Sequence, residues 1–236
     1  LFAVAQSWIA GSVELRHISF GTVLDEDGRP YKTRSGSAVG LEGLLNEAVA
    51  KALEIVSAAS DVENSEYALT TQQCAEVADA VGHGAIKYAD LAHNRTSDYV
   101  FSYDKMMALE GNTATYMQYC YARVQSIFRK GEADLEQIRA TADSVNLEHT
   151  AERLLALTLA RYAEALDEVL EDYRPNQLTN YLFDLAKRFS SFFEQCPVLQ
   201  AEDDAIKLSR LRLCDLTART IAHGLDLLGI GVVKQM

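Results

Sequence analysis

A short run of cations and hydroxyls, Lys32-Thr33-Arg34-Ser35-Gly36, interrupts a sequence that is otherwise acidic. The run follows a turn-forming Asp27-Gly28-Arg29-Pro30 and precedes a periodic apolar stretch that begins at Leu41. Phosphate chemistry needs cations near the developing charge, and lysine supplies a mobile point charge while arginine supplies a planar fork. The run is therefore a candidate phosphate-binding loop, although taken alone the signal is weak, because basic loops with glycines are usually solvated connectors. It is not a Walker P-loop, because G-x-x-x-x-G-K-[ST] is absent.

A second candidate site is the polar loop Glu110-Gly111-Asn112-Thr113 and the aromatic helix that follows it. This helix carries Tyr116 and Tyr119 and leads to Arg123. Unstacked RNA bases are held by stacking on tyrosine rings and by hydrogen bonds to their edges. The pattern is consistent with an RNA platform, and equally with tyrosines that pack into a helical core.

Three arginines of the last helical segment, Arg210, Arg212 and Arg219, could form a cationic patch for phosphates, or could pair with Asp203, Asp204 or Asp215. The apolar end of the chain, residues 229–236, includes Lys234 and Met236 as candidate ligand contacts, with simple packing as the alternative. Arg95 either orients two parts of the chain against each other or forms an ion pair with Asp98.

The composition limits the classes of function. The chain of 236 residues carries a formal net charge of −12, which argues against non-specific coating of DNA or RNA but allows a specific RNA partner through a local cationic patch. No stretch reaches the roughly 20 apolar residues that cross a bilayer. The 4 cysteines are widely spaced, so we predict buried free thiols in a reducing compartment and no metal site.

Apolar periodicity predicts a strand near residues 13–23, helices over about 40–58 and 71–92, and a short extended joint at 95–103. From about Asp104 onward the pattern is helical. Asn112 or Thr113 is placed to cap one helix, residues 149–173 read as a single helix, Pro175 begins another, and Asp203 opens the last, which closes at Gly229. The region 104–236 is thus predicted to be a helical bundle, and residues 1–103 the end of an α/β unit.

Long blocks of the chain resemble arginyl-tRNA synthetases, which are class I aminoacyl-tRNA synthetases. The blocks are HISFGTVLDEDGRPYKTRSG, GHGAIKYADLAHNRTSDYVFSYDKMMALEGNTATYMQYCYARVQSIFRK, YLFDLAKRFSSFFEQCPVL and SRLRLCDLTARTIAHGLDLLGIGVVKQM. They occur in this order from His17 to Met236. The resemblance implies a mainly α chain: the end of a Rossmann-type catalytic domain (1–103), then an all-α, DALR-type anticodon-binding domain (104–236).

In this resemblance the cationic run is the family's KMSK-type loop. Lys32 is then expected to touch the ATP phosphates, and Arg34 and Ser35 to hold the loop or the phosphates. Ser35 replaces the second lysine of the signature, and Arg29 is the only cation in the upstream turn, residues 25–29, that could compensate. The preceding strand, with His17, Phe20 and Gly21, is expected to approach the adenine of ATP. The RNA contacts implied are Asn112, Tyr116, Tyr119, Arg123, Arg212, Lys234 and Met236.

The resemblance also implies the activity and its partners. The expected reaction is ATP-dependent activation of L-arginine and its transfer to tRNA(Arg), with Mg²⁺ accompanying ATP, in a cytoplasmic and monomeric protein that binds neither DNA nor membranes. No HIGH-like tetrapeptide occurs in the sequence. We therefore expect a C-terminal fragment that is inactive alone and whose arginine pocket lies upstream. The alternative is a non-catalytic helical module that binds tRNA or protein on a synthetase-like scaffold.

Overall fold

The computed structural model describes residues 1–9, 11, 13–30, 40–60, 68–140 and 145–236. Within these ranges the chain is mainly helical, as predicted, and its short strands form one two-stranded sheet. The helices are α1 (Phe2–Gln6), α2 (Leu41–Ser60), α3 (Thr71–Ala92), α4 (Tyr103–Met106), α5 (Ala114–Lys130), α6 (Leu135–Ala140), α7 (Thr150–Ala160), α8 (Tyr162–Asp172), α9 (Asn176–Gln195) and α10 (Asp204–Leu227). The strands are β1 (Val23–Leu24) and β2 (Tyr99–Val100).

The sheet joins two segments that are distant in sequence. β1 and β2 run parallel, with Val23 opposite Tyr99 and Leu24 opposite Val100. The strand predicted over residues 13–23 is therefore realised only at its end, because extended residues become a strand only where a partner backbone accepts their hydrogen bonds. The predicted turn is present, since the Gly28 amide donates to the Asp25 carbonyl oxygen at 2.9 Å and Gly28 has a φ of 75°.

Helices α2 and α3 form a tightly packed hairpin. α3 begins with a reciprocal cap, in which the Thr70 side chain accepts from the Gln73 amide and the Gln73 side chain accepts from the Thr70 amide. A Cβ atom added to Gly82 would lie 2.7 Å from both Cα and N of Val49. The backbones of the two helices thus approach so closely at this point that only glycine fits.

Replacing Gly82 with alanine is expected to lower the free energy of unfolding by about 2 kcal/mol. Overpacking against a backbone that cannot move aside costs about 3 kcal/mol, and the higher helix propensity of alanine returns roughly 1 kcal/mol. Urea unfolding of the purified chain measures the difference. Gly40→Ala is the control, because a Cβ atom there meets nothing within 4 Å; equal unfolding midpoints for the two variants would contradict the close approach.

Helices α5 to α10 form the predicted bundle around one apolar core. Its fully buried members come from helices far apart in sequence, such as Met117, Leu182, Phe189 and Ile221. Thr113 caps α5 and Asp203 caps α10, as predicted. The single helix predicted over residues 149–173 is wrong: α7 and α8 are separated by a turn at Arg161, whose ψ of 8° departs from helical geometry.

The bundle ends in a segment that returns to the α2–α3 hairpin, and we call residues 229–236 the tail segment. Gly229 adopts a φ of 69°, and the Ile230 amide donates back to the Leu225 carbonyl oxygen at 2.9 Å. This geometry stops α10 and reverses the chain. Ile230 is then buried in the bundle core, whereas Val233 is buried among residues of α2 and α3.

Candidate functional site

The strand that precedes the cationic run is held by residues 95–98. The Gly21 amide donates to the Arg95 carbonyl oxygen at 2.7 Å, and the Thr22 amide donates to the Asp98 carboxylate at 2.6 Å. A Cβ atom on Gly21 would lie 2.2 Å from the Ser97 carbonyl oxygen. Gly21 is therefore required for this close approach, whatever its relation to a nucleotide.

The predicted nucleotide contacts are only partly described. Lys32, Arg34 and Ser35 lie outside the described residues. Phe20 is 84% exposed, His17 is exposed, and the Arg29 guanidinium is exposed with NH1 3.9 Å from an Asp27 carboxylate oxygen. The side chains of His17, Phe20 and Arg29 are thus accessible to a ligand.

Arg95 joins the strand to the helical bundle. Its guanidinium donates to the carbonyl oxygen of Ser19 and to those of Tyr173 at 3.2 Å and Asp172 at 3.5 Å. The last two carbonyls lie at the C-terminal end of α8, where the helix dipole favours a cation. Of the two interpretations of Arg95, the structure supports the joint that orients two parts of the chain, because Asp98 accepts from the Thr22 amide instead.

Helix α5 and the tail segment enclose a groove of about 230 Å³, which we call the tail groove. Its lining residues are Tyr119, Ala122, Arg123, Ser126, Arg129, Gln235 and Met236. Tyr119 is 40% exposed, so its ring remains open to a ligand. Three of the residues predicted or implied as RNA contacts, Tyr119, Arg123 and Met236, therefore meet on one surface.

A second groove, of about 350 Å³, opens on the other side of Arg123, and we call it the Phe193 groove. It is lined by Arg123, Ser126, Ile127, Lys130, Phe193, Pro197, Val198, Leu199 and Gln200. The Arg123 guanidinium carbon lies 4.2 Å from the centroid of the half-buried Phe193 ring. This cation–π contact fixes a flat charged group between the two grooves, where it can stack with a base.

Two other predicted RNA contacts, Tyr116 and Asn112, have structural roles. Tyr116 is half-buried, with its hydroxyl 3.3 Å from the Ser190 hydroxyl oxygen. Asn112 accepts from the Tyr88 hydroxyl at 2.7 Å and donates to Asn180. These contacts match the alternative of tyrosines packed into a core.

The side chain of Arg212 also points inward. Arg212 is 8% exposed, and its Nε donates to the Ile138 carbonyl oxygen at 3.4 Å. Burial leaves little of its guanidinium accessible to a phosphate, so the structure argues against the predicted contact. Lys234 differs, because it lies on the surface of the tail segment next to the tail groove.

Two of the arginines that could have formed a cationic patch on α10 form ion pairs instead. Arg210 Nε lies 2.7 Å from a Glu152 carboxylate oxygen, and Arg219 NH1 lies 3.8 Å from Asp215. Asp215 also accepts a bidentate pair of bonds from Arg139 at 2.6 and 3.0 Å, and this hydrogen bonding raises the pKa of Arg139. The predicted alternative of pairing with Asp203, Asp204 or Asp215 therefore holds for Arg219, whereas Arg210 pairs with Glu152, which was not among the predicted partners.

The groove residues that sequence reasoning missed include Arg129, Lys130, Phe193 and Gln235. Arg129 and Lys130 lie in the last turn of α5, where basic residues complement the helix dipole. Together with Arg123 and Lys234 they concentrate positive charge on one end of a chain whose net charge is −12.

The four cysteines are free and buried. Burial raises the pKa of the Cys120 thiol to about 12, so this thiol stays protonated and unreactive at neutral pH. Among the described residues, no group of three or more metal-ligating side chains is placed to hold an ion. None of the helices in the described ranges combines the length and apolar character that a bilayer crossing requires.

Comparison with known proteins agrees with this architecture. Residues 1–103 match the family described as tRNA synthetases class I (R), catalytic domain, and residues 117–236 match the DALR anticodon binding domain. These two matches identify the class of protein as a class I aminoacyl-tRNA synthetase.

Individual relatives narrow the class. The chain is 49% identical over 244 residues to the arginine–tRNA ligase of Rhodopirellula baltica and 47% identical over 238 residues to that of Cyanothece sp.. The solved arginyl-tRNA synthetase of Thermus thermophilus superposes with a TM-score of 0.78 at 32% identity, and that of Plasmodium falciparum with 0.75 at 28%, each over 93% of this chain. The chain belongs to the arginyl-tRNA synthetase family.

The chain is much shorter than these relatives. All of it aligns with the two ligases, but it spans 36% and 40% of their lengths. It spans 35% of each of the two solved chains. The activity of these relatives belongs to proteins more than twice as long as this chain.

Proposed function

We propose that this chain supplies the ATP loop and the anticodon-reading bundle of an arginine–tRNA ligase. The complete reaction joins L-arginine to tRNA(Arg) through an arginyl-adenylate, and ATP provides the driving force. Residues 1–103 carry the ATP loop with Lys32, Arg34 and Ser35, and residues 104–236 bind RNA. The protein acts in the cytoplasm as a monomer.

The observation that carries the proposal is the pair of grooves on either side of Arg123. RNA is read by sequence mainly where bases are unstacked, and such bases bind to aromatic rings and to planar guanidinium groups. Tyr119 and Phe193 provide rings, Arg123 provides the plane between them, and the basic end of α5 provides charge for the phosphates. An anticodon loop, with several splayed bases next to a regular stem, fits this arrangement.

In the catalytic part, residues of this chain would bind ATP and orient its phosphates. Lys32 is assigned to the phosphates of ATP, where a cation stabilises the charge that accumulates as pyrophosphate leaves. Mg²⁺ would arrive bound to the ATP oxygens, which suits an ion that prefers phosphate and water ligands to an all-protein cage. The residues around Gly21 hold the preceding strand in place through backbone contacts with residues 95–98.

Replacing Arg123 with alanine tests the RNA site. The variant is expected to bind an anticodon stem-loop carrying an arginine anticodon roughly tenfold or more weakly, because one stacking contact contributes about 1–3 kcal/mol. Fluorescence anisotropy with a labelled stem-loop and the full chain measures the change.

Arg161→Ala is the matched control, since it removes the same charge from an exposed ion pair with Glu164. Its affinity should equal that of the unaltered chain. A stem-loop with an unrelated anticodon should bind more weakly than the arginine one. If the arginine and the unrelated stem-loop bind equally well, or if Arg123→Ala and Arg161→Ala bind with equal affinity, the grooves do not read the anticodon.

A further inference from the structure

Side-chain donors of α3 and α5 attach the tail segment to the rest of the described structure. Lys87 Nζ of α3 donates to the Gly229 carbonyl oxygen at 2.7 Å. Gln118 Nε2 of α5 donates to the Gly231 carbonyl oxygen at 2.8 Å. Arg129 Nη1 donates to the Lys234 carbonyl oxygen at 2.9 Å. The acceptors are spread along the segment, so its backbone is held at several points rather than at one end.

Gln118 is the buried member of this set. It is 0% exposed, and its Nε2 also donates to the Ala80 carbonyl oxygen of α3 at 3.1 Å. Both partners are acceptors, so only the amide nitrogen can face them, and the buried Oε1 has no hydrogen-bond partner among the described residues. An unpaired buried amide oxygen is unfavourable, so the two bonds that Nε2 makes must outweigh that cost.

The Gln118 side chain is closely packed between α3 and the tail segment. A Cβ atom on Gly84 would lie 3.1 Å from Gln118 Nε2 and 3.2 Å from Ile230 Cγ2. Ile230 fills the bundle core and Val233 fills the cluster between α2 and α3. Two buried side chains and three hydrogen-bonded carbonyls thus fix where the segment ends.

Lys87 and Gln118 do not line the tail groove. Gln235 and Met236, at the end of the segment that Lys87 and Gln118 hold, do line it. We infer that Lys87 and Gln118 are positioning residues for RNA recognition, which hold the tail segment so that Gln235 and Met236 complete the groove. The inference rests on the proposed function, because it takes the tail groove as an RNA-binding surface. It assigns an effect on RNA affinity to side chains that do not touch RNA.

The first test separates positioning from direct contact by its salt dependence. Lys87→Met is expected to weaken binding of the arginine stem-loop to the full chain on the order of tenfold. The slope of log affinity against log salt concentration should stay unchanged, whereas loss of a direct phosphate contact would reduce it by about 0.7. Lys87→Arg, which keeps a donor, should restore affinity, and Lys105→Met, which removes an exposed charge elsewhere, should bind normally.

The second test uses a change without charge. Gln118→Met has a similar shape but cannot donate to Ala80 and Gly231, so amides of residues 229–236 should exchange hydrogen faster and RNA affinity should fall. Because a core change can unfold a protein, circular dichroism first establishes that the variant is helical. If Gln118→Met is unfolded, the inference is tested with Lys87→Met alone, by measuring hydrogen exchange of the amides of residues 229–236.

The outcomes distinguish this inference from the proposed function. If the unaltered chain does not bind the stem-loop, the proposed function fails, and the positioning role for RNA fails with it. If the unaltered chain binds and both variants bind equally well, only the positioning role fails. A lowered salt slope for Lys87→Met would overturn it too, since Lys87 would then be a phosphate contact.

Discussion

Replacing Arg210 with methionine is expected to lower the free energy of unfolding by about 3–5 kcal/mol, because it leaves a buried carboxylate without its cation. The Glu152 side chain is only 2% exposed, and Arg210 Nε lies 2.7 Å from it. The other Glu152 oxygen accepts from the His149 amide at 2.8 Å and belongs to the cap of α7. Chemical denaturation of the purified chain measures the loss.

A matched pair in the same domain provides the control. Arg161 Nε lies 2.8 Å from a Glu164 oxygen, but both side chains are 62% exposed. Arg161→Met should therefore cost at most about 1 kcal/mol. Adding Glu152→Gln to Arg210→Met should recover part of the loss, because a neutral amide can still accept from His149. Similar losses in Arg210→Met and Arg161→Met would show that burial does not set the strength of this pair.

Replacing Lys32 with alanine should slow ATP–pyrophosphate exchange on the order of 100-fold or more, because removal of one preorganised group that stabilises transition-state charge has effects of this size. The assay uses the complete protein that contains this chain, with tRNA present. Binding of the anticodon stem-loop should be unchanged, since the grooves lie in the helical bundle. Lys105→Ala is the control for loss of one surface charge.

The same experiment discriminates the two functional hypotheses. A ligase loses exchange activity when Lys32 is removed and keeps its RNA affinity. A non-catalytic module on a synthetase-like scaffold shows no exchange activity to lose. Unchanged exchange in an active protein would instead exclude the cationic run from the mechanism.

Periodicity located the long helices well. The bounds of α2 and α3 agree with the predicted ranges to within about two residues, because both helices bury one continuous apolar face and α3 starts at a cap that the sequence displays. The break between α7 and α8 was missed, since no glycine or proline marks it and the apolar spacing continues through Arg161. Only contacts with neighbouring helices select a bend at such a position.

The candidate site was predictable in part. Tyr119, Arg123 and Met236 meet at one groove, as the resemblance implied for the RNA contacts. Tyr116, three residues before Tyr119, turns toward α9 instead, and spacing alone does not say on which side of a helix the next helix packs. Phe193 escaped prediction for the same reason, because its aromatic neighbours on α9 form core.

Residues that act through the tail segment were beyond sequence reasoning. Lys87 and Gly229 are 142 positions apart, and Gln118 and Gly231 are 113 positions apart. No local sequence pattern predicts a hydrogen bond between a lysine or glutamine side chain and a carbonyl more than 100 positions away in the sequence. Such contacts depend on the packing of α3 against α5, which brings the two side chains to one surface.

The burial of Val233 between α2 and α3 has a consequence for how the chain acquires its structure. The apolar cluster between these helices is completed by a residue that lies beyond the chain reversal at Gly229, far along the sequence from both helices. Closing so long a loop is a non-local event, which slows folding far more than it changes stability. We therefore expect the α2–α3 hairpin to bury Val233 late in folding, and a chain that stops before that step to expose an apolar cleft and aggregate.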